Sequence, residues 1–426
     1  MGVDISRLSN GLTIATHTMQ HIDSVALGIW IKVGSRNENF TQHGIAHLLE
    51  HMAFKGTENR TAFQIATDIE DVGGEINATT STETTAYFAR VLKDDIPLAI
   101  DILADILMYS KFDEEELERE KQVILQEIGA AHDVPDDIVF DHFTETAFRH
   151  QSLGRSILGT PKTVQSFTSA DLHNFMNKQY SADRMIIVAA GAVQHKSFLR
   201  EVESRLSIFR PHSTAPLTNL ANYVGGDFRE YRDLMDTQIV LGFEGRAYHA
   251  RDFYAAQILS IILGGGMSSR LFQEVREKRG LCYSIYAFHW GLSDIGLFGI
   301  HAATGQKGQK ELLPVILDEL SKISKNIHAN ELQRAKTQYR ANLTISRENP
   351  CSQAHLIARQ MLLYGRPIPI SETIERLELI TPARLTDLAR RLFINSTPTL
   401  AAVGPVGCLM NFDDLTSILA YKMKQA

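Results

Sequence analysis

The residues with the clearest capacity for chemistry form the stretch His47-Leu48-Leu49-Glu50-His51, inside a predicted helix over residues 43–54. On a helix, His47 and His51 lie about 40° apart, and Glu50 lies about 60° to the other side of His47. Two imidazoles one turn apart suit Zn²⁺, and a nearby carboxylate that is not a ligand can take a proton from a water that the metal activates. The stretch therefore predicts a catalytic zinc site with His47 and His51 as ligands and Glu50 as the general base.

Two alternatives compete with this interpretation. The first is an ordinary pair of structural histidines, since the chain contains 16 histidines. The second pairs His43 with His47, which are also four residues apart, but no Glu lies between them and His43 stands at the start of the predicted helix. We favour His47 and His51, because the order His-x-x-Glu-His is the signature of the inverzincin metallopeptidases.

A catalytic zinc site needs a third protein ligand and one open position. The acidic stretch 112–129 predicts a helix on which Glu120 and Glu127 lie seven residues apart, and therefore on one face. Most of the other acidic residues cluster at the start of this helix, where they interact favourably with its dipole. Periodicity leaves the choice between Glu120 and Glu127 open.

The elements that must position these residues occur twice along the chain. Apolar and β-branched runs predict strands at 24–33, 185–193, 236–245, 283–290, 296–303 and 399–406, and a strand or hairpin at 77–92. Helical periodicity predicts helices at 43–54, 63–72, 96–108, 113–132, 135–148 and 252–263, and more helices within 308–393.

The two halves also match in detail. Segment 187–193 aligns with segment 400–406 at an offset of 213 residues, and Gly28 aligns with Gly242 at an offset of 214. We therefore predict an internal duplication that gives two homologous α+β domains, each an α/β sandwich. Their predicted extents are 1–212 for the catalytic domain, 213–228 for a polar linker and 229–426 for the second domain.

Composition narrows the possible functions. The 426 residues are 44% hydrophobic and 22% charged, as in globular proteins, and the net charge of −7 argues against binding to nucleic acid. The three cysteines, Cys282, Cys351 and Cys408, are far apart and predict neither a disulfide framework nor a cysteine zinc site. Since no run of about 18 apolar residues occurs, no membrane span is expected.

The first residues indicate a location. They show neither a signal sequence nor a transit sequence, so a bacterial cytoplasmic protein is favoured, with the mature form of a mitochondrial matrix protein as the alternative. Met1-Gly2 followed by Ser6 matches the loose myristoylation pattern, and the sequence leaves open whether Gly2 is modified.

Four longer stretches carry a resemblance to a known family. They are GIAHLLEHMAFKGT (44–57), GGEINATTSTETTAYFARV (73–91), EREKQVILQEI (118–128) and LGGGMSSRLFQEVREKRGLCYSIYA (263–287). With them the chain resembles the pitrilysin and insulin-degrading enzyme family, most closely the β subunit of mitochondrial processing peptidase and its bacterial relatives. The stretches lie in both halves, so the resemblance covers essentially the whole chain.

The resemblance implies roles for residues that spacing alone leaves undecided. In the family the third zinc ligand is a Glu about 76 residues after the second His, which matches Glu127, and a supporting Glu seven residues earlier matches Glu120. Asn77 and Ala78 match a strand edge that holds the substrate backbone by β-augmentation. Arg276 and Tyr283 match an Arg and a Tyr from the opposite domain that bind substrate and stabilise the oxyanion.

The resemblance also implies an activity. We expect a zinc metalloendopeptidase with one Zn²⁺ per chain and no other cofactor, which cleaves extended peptides or presequence-like segments in a clamshell whose second domain is not catalytic. The expected partner is a second copy of the chain or a related inactive subunit. Two alternatives are a non-catalytic scaffold or peptide-recruiting subunit, and a protein that binds presequences without cleaving them.

Overall fold

The computed structural model describes residues 2–212, 218–394 and 397–425, which form two β-sheets with α-helices packed on them. The strands are β1 (Asp4–Arg7), β2 (Thr13–Thr18), β3 (Ser24–Ile31), β4 (Glu75–Thr80), β5 (Thr85–Leu92), β6 (Met185–Gly191), β7 (Gly226–Tyr231), β8 (Asp236–Glu244), β9 (Ser284–Gly291), β10 (Gly296–Gly305) and β11 (Thr399–Gly404). The helices are α1 (Ile45–Met52), α2 (Ala62–Glu70), α3 (Ile96–Met108), α4 (Glu114–Asp133), α5 (Pro135–Ala147), α6 (Pro161–Ser166), α7 (Ser169–Gln179), α8 (His195–Leu206), α9 (Phe253–Gly264), α10 (Gln309–Lys325), α11 (Ala329–Ser346), α12 (Pro350–Tyr364), α13 (Ile370–Glu378), α14 (Pro382–Ile394) and α15 (Phe412–Lys424).

The two sheets have the same strand pattern. The first has the order β1-β2-β6-β3-β5-β4, and the second has the order β7-β11-β8-β10-β9. In each, one parallel pair (β2 with β6, β7 with β11) is followed by three antiparallel pairs. Only β1 of the first sheet has no counterpart among the described strands of the second. The predicted α+β fold with an internal duplication is therefore confirmed.

The central strands are buried on both faces, which explains why they appear in the sequence as unbroken apolar runs. In β3, residues 25, 27, 29 and 31 point into one core with α1 and α3, while Ala26 and Trp30 point to the other face, against Ile357 of α12. In β8, Leu241 and its alternate neighbours enter the core with α9 and α10, while Val240 faces α5.

The helices that cover these second faces belong to different parts of the chain. The residues divide into two compact units: the first contains Met1–Gly129, Arg155–Asn219 and Leu343–Ile368, and the second contains Ala130–Gly154, Leu220–Asn342 and Pro369–Ala426. Thus α5, from the first half of the sequence, packs on the second sheet, and α12, from the second half, packs on the first. At Gly242 the approach is so close that a Cβ atom would lie 2.4 Å from the Phe143 ring of α5.

The predicted boundaries at 1–212 and 229–426 follow the duplicated sequence and stay a prediction. Part of the predicted linker at 213–228 lies outside the described residues, which omit 213–217, and its last residues already belong to β7. No helix among the described residues combines the length and the apolar character needed to cross a membrane.

Candidate metal centre and active site

Helix α1 separates an apolar side from a polar side. It starts after Gly44, whose φ of +95° is a backbone conformation that glycine adopts without strain. Its apolar residues are fully buried in the core of the first unit. Because 3.6 residues make one turn, His47, Glu50 and His51 then fall together on the opposite side, where all three are half-buried.

Helix α4 supplies the facing surface. Leu117 and Ile124 are completely buried, and Glu120 and Glu127 share their face because the spacing of these four residues is three, four and three. Asp113 accepts hydrogen bonds from the backbone N–H groups of residues 115 and 116, so the acidic start of the helix caps its first turn. Burial differs along the face: Glu120 is buried, whereas 41% of the Glu127 side chain is exposed.

Three potential ligand atoms converge between these helices. Glu127 Oε2 lies 3.8 Å from His47 Nε2 and 3.7 Å from His51 Nε2. One donor atom from each of the three residues lies within 4.8 Å of the other two, and no other such group occurs among the described His, Cys, Asp and Glu residues. Distances of 3.7 and 3.8 Å are too long for hydrogen bonds, so the three groups point at a common space without bonding to one another.

This donor set fits Zn²⁺. Two imidazole nitrogens and a carboxylate oxygen are typical zinc ligands, and bonds of about 2.0–2.2 Å at tetrahedral angles separate ligand atoms by roughly 3.3–3.6 Å. Burial, together with the neighbouring His51, lowers the pKa of His47 to about 4, which keeps this ring in the neutral form that binds metals. His47 Nδ1 is buried and has no hydrogen-bond partner among the described residues.

Glu120 contacts the other side of the His51 ring. Its Oε2 lies 3.0 Å from His51 Nδ1, and its Oε1 forms an ion pair of 2.7 Å with Lys55 Nζ. The hydrogen bond with His51 lowers the pKa of Glu120 against the effect of burial, and Lys55 lowers it further. For His51, burial lowers the pKa, but Glu120 and Glu127 outweigh it and the pKa is raised. Glu120 thus fixes which nitrogen of His51 faces Glu127.

Glu50 has a different environment. Burial raises the pKa of its carboxyl group, while hydrogen bonding to Thr80 and the nearby His51 ring oppose this shift. Two fully buried phenols lie near it: the hydroxyls of Tyr87 and Tyr180 are 3.3 Å apart, and burial raises the pKa of each, with the charge of Glu50 adding to the shift. A carboxyl group with a raised pKa is suited to accept and return a proton near neutral pH.

The predicted substrate-binding strand lies at the edge of the first sheet. Among the described strands, β4 pairs with β5 alone, so no described strand covers its other edge. Asn77 is exposed and Ala78 is buried, and the Ala78 N–H donates to the Asn77 side chain at 2.8 Å. An uncovered edge of this kind is what β-augmentation requires.

Arg276 and Tyr283 lie together in the second unit. The guanidinium of Arg276 is 5.4 Å from the centre of the Tyr283 ring and 4.6 Å from that of Phe272. Tyr283 is 81% exposed. Arg276 belongs to a π-helical segment, Phe272–Glu277. The contribution of both residues to catalysis stays a prediction.

The structure also bears on one alternative and adds residues. His43 Nε2 is hydrogen-bonded to the carbonyl oxygen of Ser156 at 2.7 Å, and His43 is not part of the group of three potential metal ligands found among the described residues. Lys55 was not predicted, because it follows the end of α1, where helical spacing no longer applies. Thr80 was missed as well, since its contact with Glu50 depends on how β4 packs against α1.

Comparisons with known proteins give the following matches. A family model described as Insulinase (Peptidase family M16) matches residues 13–161, and one described as the Peptidase M16 inactive domain matches residues 166–339. An uncharacterized zinc protease of Rickettsia felis is 40% identical over 403 residues, which are 94% of this chain and 97% of that protein. The mitochondrial-processing peptidase subunit beta of Neurospora crassa is 33% identical over 421 residues, which cover 95% of this chain and 88% of that protein.

Among solved structures, a protease from Helicobacter pylori has a TM-score of 0.87 at 22% identity and covers 95% of this chain and 99% of its own. At this identity the likeness concerns the fold alone.

Proposed function

The chain belongs to the insulinase family, peptidase family M16, and is a zinc metallopeptidase; we propose that it is an endopeptidase that cleaves extended peptides, including presequence-like segments, with Glu50 as the general base. The observation that carries this proposal is the convergence of His47, His51 and Glu127 beside Glu50, with no hydrogen bonds among the three. A scaffold protein would not need three potential metal ligands that point at one place without bonding to one another.

We assign His47, His51 and Glu127 to the metal. Bound Zn²⁺ would act as a Lewis acid that polarises the scissile carbonyl and lowers the pKa of the attacking water. Glu120 orients His51 through its hydrogen bond, and Lys55 holds the second oxygen of Glu120. The ligand geometry thus depends on residues that do not touch the metal.

Glu50 moves the proton. Its carboxylate takes one proton from the attacking water as the new C–O bond forms, and it then delivers that proton to the leaving nitrogen as the C–N bond breaks. The raised pKa of Glu50 suits both directions of this transfer. Thr80 fixes the carboxyl group, so the proton is exchanged at a defined place.

The remaining assignments concern the substrate. The free edge of β4 at Asn77 and Ala78 would pair with the backbone of an extended peptide, and Asn77 would have to release the Ala78 N–H for this purpose. Arg276 and Tyr283 would donate hydrogen bonds to the peptide and to the oxyanion from the second domain. A second domain that binds substrate but holds no metal agrees with the description of the second matched domain as inactive.

The partner and the location are proposed from the relatives. One relative is named as a subunit of a processing peptidase, which supports a dimer with a second copy or with a related inactive chain. The bacterial relative has the higher identity of the two, which supports a bacterial cytoplasmic location, with the mitochondrial matrix as the alternative.

The test is cleavage of a peptide library, with products mapped by mass spectrometry with and without a zinc chelator. Glu50→Gln should keep one zinc per chain and lose at least about 10²–10⁴-fold in kcat, because only the proton transfer is removed. Glu58→Gln, an exposed position on the loop after α1, is the matched control and should retain full activity. Full cleavage by Glu50→Gln, or cleavage that survives chelation, would exclude this mechanism. Binding of peptides without products would instead identify a presequence-binding protein.

A further inference from the structure

Glu38 is a buried acid that the proposed reaction does not use. It is 4% exposed, and both of its carboxyl oxygens accept backbone hydrogen bonds, from the N–H of Gly44 and from the N–H of Ala46, each at 2.9 Å. Burial raises the pKa of Glu38 to about 8, whereas the two N–H groups and Arg155 lower it. Such an acid is costly to bury unless its oxygens are bonded, and here both are.

These bonds lie at the start of the zinc-site helix. The first N–H groups of a helix have no partner within the helix, and a side chain at the cap position usually accepts one of them. Helix α1 has Gly44 at that position, so no side chain is available there. Glu38, six residues earlier, replaces the missing cap and places its carboxyl group at the positive end of the helix dipole.

The length of α1 makes this cap important. With eight residues the helix is too short to be stable by itself, so its orientation depends on the contacts at its ends and on its buried face. His47 belongs to the first turn, directly after Ala46, whose N–H donates to Glu38. A shift of this turn would move the His47 ring relative to Glu127, while His51 is held separately by Glu120.

The segment before α1 is itself fixed from a neighbouring loop. Arg155 donates to the backbone carbonyl oxygens of Glu38 and Asn39 at 2.5 and 2.9 Å. Gly159 packs so closely against Gly44 that a Cβ atom on Gly44 would lie 2.7 Å from the Gly159 Cα. Glu38 therefore has a rigid support from which to hold the helix.

We propose that Glu38 is a positioning residue that sets the orientation of the first turn of α1 and thereby the place of His47 in the metal site. The inference rests on the zinc site of the proposed function, but not on the reaction. His47 is the ligand that depends on it, because among the described contacts its Nδ1 has no hydrogen bond that could orient the ring.

The test is the variant Glu38→Gln, which keeps the shape of the side chain but presents an NH₂ group to one of the two N–H donors. Its zinc affinity, measured by competition with a chromophoric chelator, should fall about 10–100-fold, as for other residues that orient metal ligands. The visible spectrum of the Co²⁺-substituted protein should change, because the His47 ligand is displaced. The matched control is Asn349→Ala, which removes the side-chain cap of α12 in the same unit and should leave both readouts unchanged.

Glu38→Asp, which keeps the acid but is too short to reach both N–H groups, should weaken zinc binding by a smaller factor and serves if Glu38→Gln does not fold. Wild-type zinc affinity and an unchanged Co²⁺ spectrum in folded Glu38 variants would overturn the inference. Neither readout involves cleavage, so a protein that binds zinc in this way but cuts no peptide would refute the proposed function and leave the inference standing.

Discussion

The two units share a strand pattern but differ in the helix that follows one pair of corresponding strands, β3 in the first unit and β8 in the second. After β3 the first unit has α1, whose eight residues include His47, Glu50 and His51. After β8 the second unit has α9, whose twelve residues FYAAQILSIILG include no His, Cys, Asp or Glu and are mostly buried. The same strand pattern therefore accepts a helix that carries the proposed metal-site residues in one unit and an apolar helix in the other.

The acidic helix differs in the same way. Helices α5 and α12 both begin at a proline, Pro135 and Pro350, which gives a local offset of 215 residues between the units. By that offset, the positions of Glu120 and Glu127 correspond to Ala335, which is buried, and Asn342 in α11. The second unit therefore lacks the His and Glu residues of both helices at the corresponding described positions. This is expected if these residues serve one metal ion, because each of them alone would not bind it.

The largest effect is expected from removing a metal ligand. Glu127→Gln should lower zinc affinity by at least about 10³-fold and abolish cleavage, because a neutral amide oxygen is a much poorer zinc ligand than a carboxylate. Zinc content per chain after dialysis is the measurement. Glu114→Gln, exposed at the start of the same helix, is the control and should keep one zinc. Retention of zinc by Glu127→Gln would point to donors outside this group.

Because α5 packs on the second sheet, a cavity created in α5 should loosen the second unit. Phe143→Ala should destabilise the protein by about 3–5 kcal/mol, because the ring is fully buried. Although Phe143 belongs to the first half of the sequence, hydrogen exchange should rise mainly in β8 and β11, against which α5 packs.

Phe175→Ala in α7 is the matched variant, since that ring is equally buried in the core of the first unit. It should loosen the first unit instead, including α1, against which α7 packs. Greater exchange in the first sheet than in the second for Phe143→Ala would contradict the division into these units.

The second unit should still contribute to the reaction. Tyr283→Phe keeps a ring for Arg276 and removes only the hydroxyl, so kcat should fall about 10²–10³-fold with zinc content unchanged, as for loss of one oxyanion donor. Tyr231→Phe, at another exposed tyrosine of the same unit, should have no effect. A loss confined to KM would mean that Tyr283 binds the substrate but not the transition state.

The smallest predicted effect is a pH dependence of the stability of the second unit. Burial lowers the pKa of His289 to about 4, and its Nε2 accepts the Arg246 N–H at 2.9 Å. The folded state thus keeps this ring neutral, while the unfolded chain protonates it below its ordinary pKa of about 6.5. Stability is therefore present above that pKa and is lost as pH falls from 6.5 towards 4.

Between pH 7.5 and 5.0, wild type should lose about 2 kcal/mol of unfolding free energy more than His289→Gln, whose amide oxygen can still accept the Arg246 N–H. Urea unfolding in a Trp30→Phe background reports on the second unit, because Trp290 then is the single tryptophan of the chain. His328→Gln, at an exposed histidine, should behave as wild type. Equal losses in wild type and His289→Gln would exclude a neutral buried ring.

The sequence predicts much of this comparison, for physical reasons. Strands β3 and β8 are unbroken apolar runs because both of their faces are buried, and α1 and α9 follow from helical spacing. Strand β7 was not predicted: its residues GDFREY are all partly exposed or polar at a sheet edge, so no apolar run marks it. The exchange of α5 and α12 was not predicted either, since periodicity shows that a helix has a buried face but not which sheet buries it.

The site was predictable to a similar degree. The spacing of His47 and His51 identifies their common face. Glu120 and Glu127, however, share one face of α4, so spacing alone does not show which of them is the metal ligand. Their difference arises from the packing of α4 on α1, which buries Glu120 against Lys55 and points Glu127 towards both Nε2 atoms. Glu38 carried a weaker signal, an acid shortly before a helix whose cap position is a glycine.

The helix exchange has a consequence for synthesis on the ribosome. The outer face of the first sheet is covered by α12, within the segment Leu343–Ile368, so that face stays bare until roughly 150 residues after Asn219 have been added. At about 5–20 residues per second this is a delay of roughly 10–30 s, during which apolar side chains such as Trp30 are open to solvent or to a chaperone. For the same reason, a nascent chain released before residue 343 should leave a first unit that aggregates even though its metal-binding residues are all present.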